Sequence, residues 1–377
     1  MKTIKKMLAV ILCGMMLLSS FAFCSFAKTK TIKWQEYDDY VTTYNLRDEI
    51  KTGKNTFTYK GNSAHLFTAS KEGIYSVNFS VKMKDDSDCG YSYMLSESVG
   101  SGKATGYAES YMSEKYGNVY YFKKGQQRYV GVVMEGTFTN YTVTVTYLGK
   151  ATSVSLKDSK TPLQGNVEIF HSEENGKHYY YFEREILFKT DSDKKIYISG
   201  LNVPTTAKSL KSGKLTATVN TFGIKKSISF SVFFAKDEIK SISKAKGFVA
   251  PTVSMYKDGS IAEYSIEESA LKVAVKLKDG TTVQNEGASE CAVKVTLKDG
   301  KKVVLYPSIE VKNGKPYLIA TDGQDSEFTI AAVKKKTVTS EDEPDEPTEF
   351  SIKALFEKVY SFFSDIFKKF LFFIFAD

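Results

Sequence analysis

YSVNFSVKM, residues 75 to 83, sets Tyr75, Val77, Phe79 and Val81 at every second position, with Ser76, Asn78, Ser80 and Lys82 between them. That is the period of a β-strand, whose successive side chains leave on opposite faces, and not the three- and four-residue spacing of a helix. The same alternation runs through YVGVVM (129–134), YTVTVTYL (141–148), KLTATVNT (214–221), SISFSVFF (227–234), LKVAVKL (271–277) and AVKVTL (292–297). Helical periodicity is essentially missing between residues 28 and 337. This body therefore reads as all-β, two to three tandem β-sandwiches of jelly-roll or Ig-like type. Three Lys-Asp-Gly triplets, at 257–259, 278–280 and 298–300, sit at strand ends, where glycine supplies the positive φ of a hairpin turn or its bulge. Breaks in the pattern after Gly149-Lys150 and at Asp237-Glu238 divide the body into expected domains 28–150, 151–236 and 237–337.

The two ends of the chain read differently. Lys2, Lys5 and Lys6 precede an apolar run from Met7 to Phe23, and Ser25-Phe26-Ala27 offers small residues to a signal peptidase. Residues 1–27 are expected to be a signal peptide cut between Ala27 and Lys28, which makes the protein secreted. Loss of those three lysines lowers the net charge from +8 to +5 and leaves two of the four cysteines, Cys89 and Cys291. Two distant cysteines exclude a disulfide scaffold, and without a Cys-x-x-Cys pair nothing suggests structural zinc; whether Cys89 and Cys291 pair stays open. The modest basic excess lies in scattered lysines without a basic helix, so nucleic acid is not an expected partner.

At the other end, residues 338–349 hold six acids, two prolines and no base, the composition of a linker. Beyond it, over 350–377, Phe356, Val359, Phe363, Ile366, Phe367, Phe370 and Ile374 recur at helical spacing as one broad apolar face of an amphipathic α-helix. Its longest apolar run is far short of the roughly 20 residues a membrane span needs. The expected placement is in the membrane surface, with a protein partner as the rival.

Two stretches resemble known modules. HLFTASKEGIYSVNFSV (65–81), YYFKKGQQRYVGV (120–132) and NYTVTVTYLG (140–149) together resemble the pre-peptidase C-terminal type of β-sandwich, through Gly73 and Tyr75, Gly125, Gln126 and Tyr129, and Tyr141, Val143 and Val145. Such modules accompany catalytic domains or mediate attachment in secreted bacterial proteins, so the resemblance implies binding and no chemistry. Residues 239–283 look like a bacterial Ig-like surface domain, through Ile239 and Ile242, Tyr256 and Gly259, and Leu271 to Thr281.

Chemistry is sparse. His171 and His178 flank the turn 172–177 and, with Glu173 or Glu174, are positioned either to share a metal across a hairpin or simply to border a solvated turn. Glu183 and Glu185 alternate with Phe182, Arg184 and Ile186 in an expected strand, which puts both acids on one face, as a glycosidase pair needs and as exposed strand acids also show. Asp85, Asp86 and Asp88 are either calcium ligands in a loop or a plain acidic turn. No motif selects a nucleophile, so no catalytic residue, cofactor or metal is expected. Among 24 tyrosines, Tyr91, Tyr93, Tyr120 and Tyr121 stand in a tyrosine-crowded region and are candidates for stacking on a ligand. The expected protein is a secreted, envelope-associated binding or adhesion protein that takes an extracellular polysaccharide or protein. A surface enzyme acting on glycans or peptides, or its carbohydrate-binding accessory, is the alternative.

Overall fold

The alternating stretches fold as strands. The computed structural model describes residues 31–37, 40–83, 90–135, 138–267, 271–285, 288–289 and 292–338. The signal segment with Ala27 and Lys28, the loop acids Asp85, Asp86 and Asp88, both Cys89 and Cys291, the acidic linker from 339 and the tail residues Phe356, Val359, Phe363, Ile366, Phe367, Phe370 and Ile374 lie outside the described residues.

The first strands in chain order are β1 (Thr31–Tyr37), β2 (Tyr40–Leu46), β3 (Gly53–Thr58), β4 (Ser63–Thr68), β5 (Gly73–Met83), β6 (Gly90–Leu95), β7 (Ser98–Gly100), β8 (Lys103–Thr105), β9 (Tyr111–Ser113), β10 (Gly117–Phe122), β11 (Gln127–Glu135) and β12 (Phe138–Gly149). They form a seven-stranded sheet ordered β6-β11-β4-β2-β1-β8-β7 and a five-stranded sheet ordered β3-β12-β5-β10-β9. Next come β13 (Ala151–Leu156), β14 (Leu163–Gln164), β15 (Ile169–Glu174), β16 (Lys177–Phe182), β17 (Ile186–Thr190), β18 (Lys195–Ile198), β19 (Leu201–Thr205), β20 (Gly213–Thr221) and β21 (Ile224–Phe233), in three sheets ordered β13-β17-β18, β14-β21-β20 and β15-β16-β19. A single turn of helix, α1 (Ala235–Glu238), leads into β22 (Ile239–Lys244), β23 (Thr252–Met255), β24 (Ile261–Ser265), β25 (Val273–Leu277), β26 (Thr282–Gln284), β27 (Ala288–Ser289), β28 (Ala292–Thr296), β29 (Lys302–Lys312), β30 (Lys315–Thr321), β31 (Glu327–Ala332) and β32 (Lys335–Thr337). These order as β22-β25-β26, β24-β23-β32 and β27-β28-β29-β30-β31. The protein is all-β, and among the described residues no helix is long and apolar enough to cross a membrane.

Two compact units result, one of residues 31–71, 77–109 and 122–146, the other of 72–76, 110–121 and 147–338. In the first, one face of the seven-stranded sheet gathers around Trp34, which is fully buried with Ile32, Tyr44, Ala64, Ala104 and Tyr129. The indole N–H donates to the Gly106 carbonyl at 3.0 Å, and Gly131 passes so close that a Cβ there would sit 2.6 Å from the indole ring. Glycine at 131 is thus a packing requirement. The protein's one tryptophan is core, not a ligand platform.

The second unit holds two apolar clusters. One gathers Tyr180, Phe182, Phe188, Phe222 and Phe230 among the sheets of β13 to β21, the other Val253, Val273, Val275, Leu305 and Leu318 among those of β22 to β32. Adjacent residues Phe233 and Phe234 are divided between them. The clusters are joined by polar residues that act as backbone. Buried Gln164 donates to the Val304 carbonyl at 2.9 Å and accepts from the Val304 N–H at 2.6 Å. Asn166 reaches Asp325 at 2.9 Å, and Lys236 pairs with the same carboxylate. The three Lys-Asp-Gly turns adopt the expected backbone, with Gly259, Gly280 and Gly300 at φ 91°, 91° and 84°.

One expectation is corrected. Glu183 and Glu185 do not share a strand face, because β16 ends at Phe182 and β17 begins at Ile186. Arg184 breaks the strand: its guanidinium pairs with Glu168 and donates to the Thr161 carbonyl, while the Glu183 N–H donates to the Glu168 carbonyl at 2.9 Å. Glu185 is tied to Lys157 instead.

Candidate functional site

The strands that lie against each other in the first unit lose burial toward one end. Along β5, Val77 is buried while Phe79 and Val81 are only partly so; along β6, Leu95 is buried, Tyr93 half-buried and Tyr91 exposed. Strand register shows that other residues reach the same end. Tyr91 pairs with Met134, two residues beyond Val132, which pairs with Ser63; Ser63 in turn is level with Asn45. Tyr40 and Val41 precede Asn45 on β2, which runs parallel to β4, so they fall at the same end as Tyr91. This is the end away from Lys71 and Thr146. At it stand three large exposed side chains, Tyr40 at 59%, Val41 at 53% and Tyr91 at 53%.

Behind Tyr91 the rings form a continuous row. Phe79 lies 5.7 Å from Tyr91, tilted at 39°, and stacks 5.5 Å from Tyr93 and 5.7 Å from Tyr141, at 22° and 30°. Phe57 stacks on His65 at 4.0 Å, and Phe138 stands edge-on to both Tyr91 and Tyr59. The polar tips are used to tie strands together, as buried tyrosines require. The Tyr93 hydroxyl donates to the Val77 carbonyl and that of Tyr59 to the Met134 carbonyl, each at 2.8 Å.

His65 anchors the row. It is fully buried, with Nδ1 2.6 Å from the Asp48 carbonyl and Nε2 2.6 Å from the Tyr141 hydroxyl. A carbonyl can only accept, so Nδ1 carries the proton and Nε2 accepts from Tyr141. Burial holds the imidazole pKa below its ordinary value, which keeps the ring neutral in that role. The histidine is therefore a fixed structural bridge between β4 and β12.

The other two candidate stacking residues have a different fate. Tyr120 is 5% exposed, so its ring is enclosed and presents no face to a ligand. Tyr121 donates its hydroxyl to the Glu72 carboxylate at 2.5 Å; burial first, and that carboxylate second, push its pKa up to about 12. Glu72 also receives Lys150 at 2.8 Å, so Tyr121 belongs to a polar knot. Tyr40, Val41, Phe79 and Phe138 were not singled out from sequence. The YDDY run at 37–40, two acids between tyrosines, was the available signal.

The sheet β15-β16-β19 carries the paired histidines. The rings of His171 and His178 stack at 5.1 Å, with His171 Nε2 donating to the Ala207 carbonyl at 3.1 Å. Glu173 lies opposite His178, its carboxylate 3.7 Å from Nδ1, whereas Glu174 points to the other face of the strand. Among the described residues no group of three or more His, Cys, Asp or Glu side chains is arranged to hold a metal. Glu183 keeps contact with solvent, yet the protein around it raises its carboxyl pKa. No protein-family model matches the chain, and no curated protein matches it either.

Proposed function

We propose that the chain is an exported, non-catalytic binding or adhesion protein whose first unit meets its ligand through Tyr40, Val41 and Tyr91. The observation that carries this reading is the exposed Tyr91 at the open end of a row of rings fixed by hydroxyl bridges, with Tyr40 and Val41 also exposed toward the same end of the strands. Tyrosine suits such a role because it offers a large, stiff, amphipathic contact at small cost in side-chain freedom. Exposed apolar area held by a rigid support is also what distinguishes a contact surface from scattered surface hydrophobics. The ligand class that fits is extracellular polysaccharide, whose sugar rings offer apolar C–H faces to tyrosine.

The N-terminal basic and apolar segment supports export, and the helical spacing from Phe356 to Ile374 supports retention at a membrane surface. Polysaccharide retention of the full chain beside a Tyr40→Ala/Tyr91→Ala chain tests the contact surface. Loss of retention in the double variant supports the reading; equal retention removes it. Flotation with anionic vesicles, with and without residues after Thr337, tests the anchor. Only the chain with its tail is expected to float.

A further inference from the structure

The loop between β22 and β23 carries apolar side chains out into solvent. The Phe248 N–H donates to the Ala245 carbonyl at 3.1 Å and Gly247 sits at φ 88°, the positive value that a type II turn needs at its third residue. The Ala245 N–H donates to the Lys272 carbonyl at 3.0 Å, which ties the turn to the strand end beside it. Phe248 packs part of its ring on the core of β22 to β32, and the Lys244 ammonium stands 5.6 Å from the centre of that ring. Past this anchor Val249 is 60% exposed and Ala250 is exposed too, before the chain returns to the interior at buried Pro251.

Lysines surround this tip. Lys244 and Lys246 flank the turn in sequence, and the stem of Lys272 runs beside Gly247, where a Cβ would lie 3.8 Å from the lysine Cγ. Strand β32 runs parallel to β23 with Lys335 level with Val253, so Lys334 falls level with Thr252 at the foot of the loop. Among the described residues none of these four lysines forms an ion pair. Glu267, two residues beyond Ser265 and so at the same end, offsets one of the four charges.

An apolar tip ringed by lysines complements a surface that is anionic outside and apolar just beneath. Val249 and Ala250 offer too little area for a stable protein interface, which takes about 800 Å² from each partner. A soluble polyanion would use the lysines and leave Val249 in water. We infer that this loop is a second membrane contact, entering the headgroup region of an anionic bilayer. The inference builds on the reading that the chain is kept at a membrane surface, and adds to the tail a contact within the folded body. Two small side chains do not hold the chain there alone; joined to the tail, they meet the lipid at high effective concentration and set which end of the second unit faces it.

The test places an indole at the tip. Trp34 is the protein's one tryptophan and is fully buried, so in the full chain the emission change of Val249→Trp reports on the loop, while co-sedimentation of the same samples reports on any contact. Vesicles of phosphatidylglycerol with phosphatidylcholine are expected to shift the emission to the blue, and phosphatidylcholine alone to leave it in place. Adding Lys246→Glu/Lys334→Glu should raise the lipid concentration at half the shift by at least about tenfold, since each lysine beside an anionic surface contributes about fivefold. Unchanged emission overturns the inference, and if the chain still co-sediments the tail is its anchor without the loop. A shift without co-sedimentation keeps the loop and removes the tail's role. Equal shifts with neutral vesicles, in the charge-reversed variant, or with dextran sulfate in place of vesicles also overturn the inference.

Discussion

Both units pack buried rings edge to face, as Phe67 meets Phe122 at 85° in the first, but only the first carries a ring row out to an exposed end. In the second, Phe182 and Tyr180 meet Phe230 at 84° and 87°, and Phe188 meets Phe222 at 75°, edge into face, with every ring buried. In the first, Phe79 lies nearly parallel to Tyr93 and Tyr141, at 22° and 30°, and the row runs out to the exposed Tyr91. Edge-to-face packing among buried rings serves a core. The Phe79 row instead ends at Tyr91, which Phe138 supports edge-on while half of it stays in solvent, and so suits a contact surface. Aromatic content alone therefore does not mark a site; the exposure of the last ring does.

The largest expected break of this contrast is Phe182→Ala. Truncating a fully buried ring should cost about 3 to 5 kcal/mol, read as a lower urea midpoint, because the enclosed space cannot collapse completely. Gln164→Ala is next. It strands the Val304 N–H and carbonyl without partners and should cost about 1 to 3 kcal/mol. Two separate unfolding steps for residues 147–338 in that variant, against one in the parent, would identify the Gln164 pairing as what makes the two clusters unfold together.

Acid should act through His65. Its folded pKa lies below the ordinary value of about 6.5, so below that pH the unfolded chain binds a proton that the folded chain does not. Stability from this group is complete above pH ~6.5 and declines as pH falls toward the lowered folded value. Urea midpoints at pH 7 and pH 5 should differ less in His65→Gln than in the parent. The smallest stability effect belongs to Tyr91→Ala, within about 0.5 kcal/mol, since an exposed ring gives up little burial.

Much of this fold is legible in the sequence. Period-two alternation locates the strands, and the glycines of the Lys-Asp-Gly triplets mark three turns, because both are local properties of the chain. What escapes is decided by distant residues. Tyr91 and Tyr120 both stand in tyrosine-containing strands, yet one is exposed and the other enclosed, because burial depends on which strands lie opposite. Glu183 and Glu185 alternate as a strand should, but Glu168, 16 residues before Arg184, draws the guanidinium in and breaks it. The closing of a sheet around Trp34 rests on Gly131, a residue far away in sequence whose missing side chain admits the indole.

The claim that the open ring row is a contact surface and the closed core is not can be tested by one comparison. Polysaccharide retention would be measured side by side for the parent, for Tyr40→Ala/Tyr91→Ala and for Ile186→Val, a mild change in the buried core. The account predicts that the tyrosine variant keeps the parent's urea midpoint and loses first-unit retention, while the core variant loses midpoint and keeps retention. Retention that follows the urea midpoint rather than the exposed tyrosines would contradict it.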